Sequence, residues 1–246
     1  EVASGHGLSM TAPAGTIYYT NNGSDPRLAN GGISPSAVFY NGTAITTQLI
    51  ETGSEWRYLD DGSDQGTAWR SAGFEHDWDA GDAQLGYGDG DESPTGTVSF
   101  GPDSDNKYIT TYFRSTFSVA DPAAFTTVVL NLLRDDGASV YINGKEVVRS
   151  NMPGTLGDNT ITHTTFASSS ISDDAESTLF YDYIIDTADL VVGLNTIAVE
   201  IHQNVGNSSD LSFDLELVTH AGQAFQGQTD LRVRRLCRPL QGHQCF

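Results

Sequence analysis

Apolar residues along this chain recur at every second position and seldom at the spacing of a helix. In residues 108–119, Ile109, Thr111, Phe113, Ser115, Phe117 and Val119 share one side, and Tyr108, Thr110, Tyr112, Arg114 and Thr116 share the other. Such alternation predicts a half-buried strand. Residues 125–133 are more continuously apolar, which predicts a strand covered on both faces. Residues 179–185 alternate again, with Leu179, Tyr181, Tyr183 and Ile185 together. Residues 195–201 gather Ile197, Val199 and Ile201. Residues 211–217 turn Leu211, Phe213, Leu215 and Leu217 inward and Ser212, Asp214 and Glu216 toward water, the pattern of an antiparallel sheet with one wet face. Asn143-Gly144, between short strands at 139–142 and 146–149, is a strong signal for a two-residue hairpin. Arg134-Asp135-Asp136-Gly137 reads as a tight turn. Asp121-Pro122 and residues 187–190 predict no more than a turn of helix each. The chain therefore reads as an all-β protein, an antiparallel β-sandwich.

The organisation has three parts. Residues 1–50 carry short strands at 16–20, 37–40 and 44–49 around the polar turn 21–27, and form a small N-terminal β module. Residues 51–220 hold the sandwich. Residues 221–246 form a basic tail, with Arg232, Arg234, Arg235 and Arg238 against the single acid Asp230. This tail is unlike the rest of the chain, and it reads as a disordered or non-native end, with a nucleic-acid-binding or surface-binding role as the alternative.

Composition narrows the function. The 246 residues carry 12 basic and 32 acidic side chains, a net charge of -20. Phosphate backbones and anionic membrane surfaces call for a cationic face, so nucleic acid and such membranes are poor partners. No apolar run approaches the ~18 residues of a membrane span. Two cysteines, Cys237 and Cys245, make no disulfide scaffold. Abundant Gly, Ser, Thr, Asn and Asp with only two lysines suit a turn-rich extracellular β protein, secreted or at the cell surface. The chain opens at Glu1 without a signal-peptide pattern, so secretion implies prior removal or a longer parent.

Two stretches carry a family resemblance. TIYYTNNGSDPR followed by AVFYNGTAI resembles the small β module at the C-terminus of chitobiase-type enzymes, also called fibronectin-III-associated, without its usual closing strand. EWRYLDDGSDQGTAW, AQLGYGDGDE, KYITTYFRSTFSV, LRDDGASVYINGKEVVRSNMP and IAVEIHQNVGNSSDLSFDLEL resemble a module of large secreted bacterial proteins. Their layout is similar to galactose-binding-like jelly rolls, including the sugar-binding domains of glycoside hydrolase family 2. The resemblance implies a jelly-roll sandwich, part of a larger polypeptide, often glycan-binding and commonly holding a structural calcium.

Residues 60–105 concentrate acids, glycines and two tryptophans, and long loops on a β scaffold are where binding residues gather. Asp60, Asp61, Asp64, Asp89, Asp91 and Glu92 supply the hard oxygen ligands that calcium takes, although acidic loops are also simply solvated. Trp69, Trp78 and Tyr87 are candidate stacking surfaces for sugar rings, and Tyr112 with Arg114 makes a second polar–aromatic group; plugging the sandwich is the alternative role. His202, at a strand end, is a candidate ligand contact or general base. Nucleophile-elbow, Walker and dinucleotide motifs are absent. Asp135-Asp136 invites a glycosidase reading, but turn chemistry accounts for it better. The leading expectation is a non-catalytic module that binds polysaccharide or oligosaccharide. The net charge favours neutral or cationic glycans. A hydrolase working through acidic-loop carboxylates and a structural or protein-interaction domain are the alternatives.

Overall fold

The computed structural model describes residues 17–20, 24–28, 32–40, 45–88, 90, 92–94, 96–171, 179–221 and 232–235. Fourteen strands are present among them: β1 Ile17–Thr20, β2 Val38–Tyr40, β3 Ile45–Ile50, β4 Glu55–Leu59, β5 Asp79–Asp82, β6 Leu85–Tyr87, β7 Thr110–Val119, β8 Thr127–Asp135, β9 Gly137–Ile142, β10 Lys145–Ser150, β11 Tyr181–Ile185, β12 Gly193–His202, β13 Leu211–Ala221 and β14 Arg232–Arg235. Helix is limited to three single 3-10 turns among the described residues. None is long and apolar enough to cross a membrane.

Two compact units emerge. The smaller draws on described residues of 1–45 and 220–246, the larger on 46–219. In the smaller, β1 pairs antiparallel with β2 on one side and with β14 on the other. Arg232–Arg235, within the basic segment, thus takes strand form. The Ser24–Arg27 turn is held by Asp25, whose Oδ1 accepts from the Arg27 amide at 2.9 Å, as expected of an Asp in such a turn.

The larger unit is an antiparallel two-sheet sandwich. One sheet runs β10-β9-β12-β7-β4-β5; the other runs β11-β8-β13-β3, with β6 also paired to β13. Alternation decides what lies between them. Phe113, Ile197, Val199, Ile201, Val140 and Ile142 face inward from the first sheet, and Leu130, Leu132, Phe213 and Leu215 from the second. At the centre the Phe213 ring stacks on Phe113 at 4.3 Å and meets Trp56 edge-on at 4.9 Å. The Asn143-Gly144 hairpin forms as read, joining β9 and β10 with positive φ at both residues (52° and 86°).

Three strand expectations change. Arg134–Gly137 is not a hairpin, because β8 and β9 belong to different sheets. It is a corner where the chain crosses the end of the sandwich. Asp136 holds it: its carboxylate accepts from the Ile171 amide at 2.9 Å and the Asn204 amide at 2.8 Å, and its carbonyl accepts from Asn151 Nδ2 at 2.9 Å and from Arg134. A Cβ on Gly137 would meet Met152 Sδ at 2.6 Å and Ala167 Cβ at 2.7 Å, so the corner needs glycine. Second, the outer side of β13 is covered over Ser212 and Asp214, and only Glu216 of the three is partly exposed. Ser212 and Asp214 are buried; Gln84 Nε2 donates to Ser212 and the Gly53 amide donates to Asp214. Third, β8 is half-buried over its first part, where Val128 and Leu130 are inside and Val129 and Asn131 are partly exposed, and is covered on both faces only toward Leu132 and Leu133.

Candidate functional site

The site is built on the outer face of the six-stranded sheet. Register places Arg57, Arg114, Ala198 and Tyr141 side by side on β4, β7, β12 and β9, with Leu59, Tyr112, Glu200 and Ser139 in the next row and Thr110, His202 and Gly137 beyond. A strand face exposes what its inner alternates do not use, and here those positions are polar or aromatic. Residues 60–78 leave the end of β4 and cover this face. Their single helical turn, Ala68–Arg70, lowers Trp69 onto it. The indole is 0% exposed. It sits edge-on to Tyr112 at 4.8 Å and to Tyr141 at 5.8 Å, with Trp78 at 6.2 Å, and its N–H donates to the Gly66 carbonyl at 3.2 Å. Ala198 completes this aromatic cluster; its small side chain leaves room for the indole.

Beside the plug lies a buried charged network. Glu200, 1% exposed, accepts from the Tyr141 hydroxyl at 2.6 Å and from Arg70 Nη2 at 3.3 Å. The Arg70 guanidinium also lies over the Tyr141 ring at 4.1 Å. His202 Nε2 stands 3.5 Å from the second carboxylate oxygen. His202 Nδ1 faces the Thr165 carbonyl at 2.8 Å and the Thr110 hydroxyl at 2.9 Å. A carbonyl only accepts, and the hydroxyl already donates to the His163 carbonyl, so Nδ1 carries the hydrogen. Burial pushes the Glu200 carboxyl up, but His202, Arg70 and Tyr141 outweigh it and hold the group below its ordinary range. Burial, then Glu200, pushes the phenols of Tyr112 and Tyr141 up.

At the near edge the cluster reaches solvent. Phe74 is partly exposed and His76 is exposed, while Trp78 shows only an edge at 7%. The three rings lie within 5.0–6.1 Å of one another. The Arg114 guanidinium lies over the Phe74 ring at 5.4 Å, and Nη2 donates to the Ser71 carbonyl at 3.1 Å. Burial lowers Arg114 from its ordinary range. Burial, then Arg114 and Arg57, lowers His76, against smaller opposing effects of Asp77 and Glu75.

The structure thus brings Trp69, Trp78, Tyr112 and Arg114 together and joins His202 to them through Glu200. Tyr87 lies elsewhere, bonded through its hydroxyl to Gln203 Nε2 at 2.8 Å, with the Phe100 ring at 5.4 Å and Lys107 Nζ 4.9 Å from its own. Burial removes Trp69 and Tyr112 from any stacking surface, and His202 from solvent; the rings that reach water are Phe74 and His76. Glu200, Arg70 and Tyr141 were not singled out in the sequence. In β12, Ala198, Glu200 and His202 alternate with Ile197, Val199 and Ile201, which reads as one wet face and gives no sign that this face is covered.

The acidic loop residues have local duties. Asp60 accepts from the Ser99 amide, Asp61 from the Ser63 amide and Asp64 from the Gly66 amide, and Asp64 stands 3.4 Å from His163. Glu92 is partly buried, and Asp89 and Asp91 lie outside the described residues. Among the described residues no group of three or more His, Cys, Asp or Glu is arranged to hold a metal.

No family model and no curated protein matches the sequence. Solved structures similar to this chain include a β-glycosidase from Bacteroides vulgatus (16% identity, TM-score 0.43, covering 72% of this chain and 20% of that one). A β-glucuronidase from glycoside hydrolase family 2 is also similar (16%, TM-score 0.43, 71% and 17%), as is a β-glucuronidase from Ruminococcus gnavus (12%, TM-score 0.42, 73% and 29%). The chain spans less than a third of each of these proteins, and the likenesses are too loose to carry residues or roles across.

Proposed function

We propose that this chain is a non-catalytic carbohydrate-binding module of a larger secreted or cell-surface bacterial protein, anchoring it to polysaccharide. The observation that carries the reading is the Phe74–His76–Trp78 ridge, an aromatic surface that reaches solvent while its base is fixed by Trp69, Tyr112 and Arg114. The C–H faces of a pyranose pack on such rings, and a site held by locked neighbours binds without an ordering cost. Glu200, Asp135 and Asp136 are each only 1% exposed, and the carboxyl groups of Glu200 and Asp136 are committed to protein partners, so none of these three is in reach of a substrate; the hydrolase alternative rests on the exposed acids of the loop.

The burial of all three tryptophans favours a second reading, a structural or protein-interaction domain. Affinity electrophoresis of the intact chain against a panel of soluble polysaccharides separates the two. The binding reading expects retardation by at least one polymer, reduced at least several-fold in Phe74→Ala and His76→Ala chains that melt as the parent does. Retardation by none, or retardation indifferent to both substitutions, overturns this site. Running each gel with calcium and with chelator shows whether a metal contributes.

A further inference from the structure

We infer that the ridge accepts a carboxylate-bearing glycan, with Arg57, His76 and Arg114 receiving the acid group; this rests on the carbohydrate-binding reading above. The protein as a whole is strongly acidic, yet two arginines and a histidine meet at this ridge. Arg57 and Arg114 are direct cross-strand partners, and like charges placed so oppose each other. The sheet tolerates the juxtaposition without placing a carboxylate between them.

The other well-buried arginines give the comparison. Arg149 is fully paired, with two bonds to the Glu146 carboxylate, at 2.7 and 2.8 Å, and one to Asp158 at 2.8 Å. Arg70 is paired with Glu200, although its Nε has no partner among the described residues. Arg134 donates to two neutral acceptors, Ser150 Oγ and the Asp136 carbonyl, and lies over the Tyr181 ring. Arg114 is only 5% exposed, its one hydrogen bond goes to a neutral carbonyl, and its Nε and Nη1 have no partner among the described residues. A buried guanidinium without a carboxylate partner is costly to keep, and its uncompensated charge favours a carboxylate held above it by Arg57 and His76. Arg57 is about half exposed, and its one ion-pair partner among the described residues, Glu55, is a loose 3.9 Å away. Glu75, Asp77 and Asp79 flank the ridge on the same segment and are all exposed; their effect on His76, where present, is smaller than that of the two arginines. The ridge thus offers a ring-stacking face with a cationic flank, which fits a uronate residue: an apolar sugar face with a carboxylate at its rim. The whole-chain charge, which by itself favours neutral or cationic glycans, acts at long range and is screened beyond ~8 Å at physiological salt. The contact pair is not.

The test uses the intact chain at ~0.15 M ionic strength, with polygalacturonate, alginate and hyaluronate, each beside its own carboxyl-reduced, neutral form. At least one uronate polymer is expected to bind about tenfold more tightly than its reduced form, the size of one charge-assisted contact. Arg57→Gln, an exposed change that leaves the fold intact, should remove most of that preference while leaving the reduced form's affinity unchanged. Arg114→Gln should remove the preference too, but with weaker binding of both forms because Arg114 supports Phe74, and a thermal melt checks folding. Equal binding of each pair, or a preference that survives Arg57→Gln, overturns the inference. Binding only to neutral polymers overturns it too and leaves the carbohydrate-binding reading standing. Binding to no polymer of the wider panel overturns both.

Discussion

The six-stranded sheet is buried on both faces, and the two are made of unlike material. Its inner face is a continuous apolar layer in which Phe113, Ile197, Val199 and Ile201 meet the second sheet. Its outer face is covered by residues 60–78 over a layer of Tyr112, Arg114, Tyr141, Glu200 and His202. The inner layer is stabilised by removal of apolar area from water, which asks little about direction. The outer layer holds desolvated charges, and the cost of burying Glu200 and Arg70 is offset by their pairing. Two faces of equal burial should therefore respond differently to equal insults.

The largest effect should come from cutting one partner out of the outer network. Glu200→Ala strands Arg70 and His202 and should cost about 3–5 kcal/mol in urea unfolding. Phe213→Ala on the inner side should cost a similar ~3–5 kcal/mol through its cavity. The contrast lies in rescue. Replacing Arg70 and Glu200 together by Met and Leu should recover most of the outer loss; a double mutant no better than Glu200→Ala would show that the two faces do not differ as described. Next in size is crowding of the plug. Ala198→Leu should cost ~1–3 kcal/mol and disturb the near-ultraviolet dichroism of Trp69, and an unchanged spectrum would mean that the loop lies elsewhere.

Acid titration sharpens the comparison with a sign. Glu200 is held below its ordinary value of 4.5 because His202, Arg70 and Tyr141 outweigh burial. Its contribution is complete above that value and is lost as pH falls through the folded one. Asp214, on the outer side of β13, is the reverse: burial raises it above 3.8, against the Leu215 and Gly53 amides. Its contribution is complete below 3.8 and is lost as pH rises through the folded value. Stability measured across the acid range should climb less steeply with pH in Glu200→Gln and more steeply in Asp214→Asn. Slopes that move together would refute the assignment. The smallest effect is optical: with Trp56 and Trp69 sealed and Trp78 showing an edge, acrylamide should quench the fluorescence only weakly.

The inner face was legible in the sequence because strand alternation is a local pattern, and the all-β sandwich follows from it. The outer face was legible only in its residues. Trp69 and Trp78 stand in a polar, glycine-rich stretch, and nothing local says whether such a ring faces water or is pressed onto a sheet; that depends on where residues 60–78 fall, a contact set by the register of β4 on β7. The Asp135-Asp136-Gly137 corner shows the same limit. Its residues announce a sharp change of direction, but whether the next strand joins the same sheet or the other is decided by the partner strand β12, some sixty residues on.

That corner has a consequence in time. The Ile171 and Asn204 amides belong to irregular segments, where exchange with solvent deuterium is ordinarily fast. Both donate to the Asp136 carboxylate, itself buried between segments that are distant along the chain. Neither bond can open without parting the end of the sandwich, so these two amides should exchange at the slow pace of β12 rather than at the pace of their neighbours. Asp136→Asn, which keeps the shape but turns one acceptor into a donor, should speed exchange of whichever amide loses its oxygen and leave β12 protected.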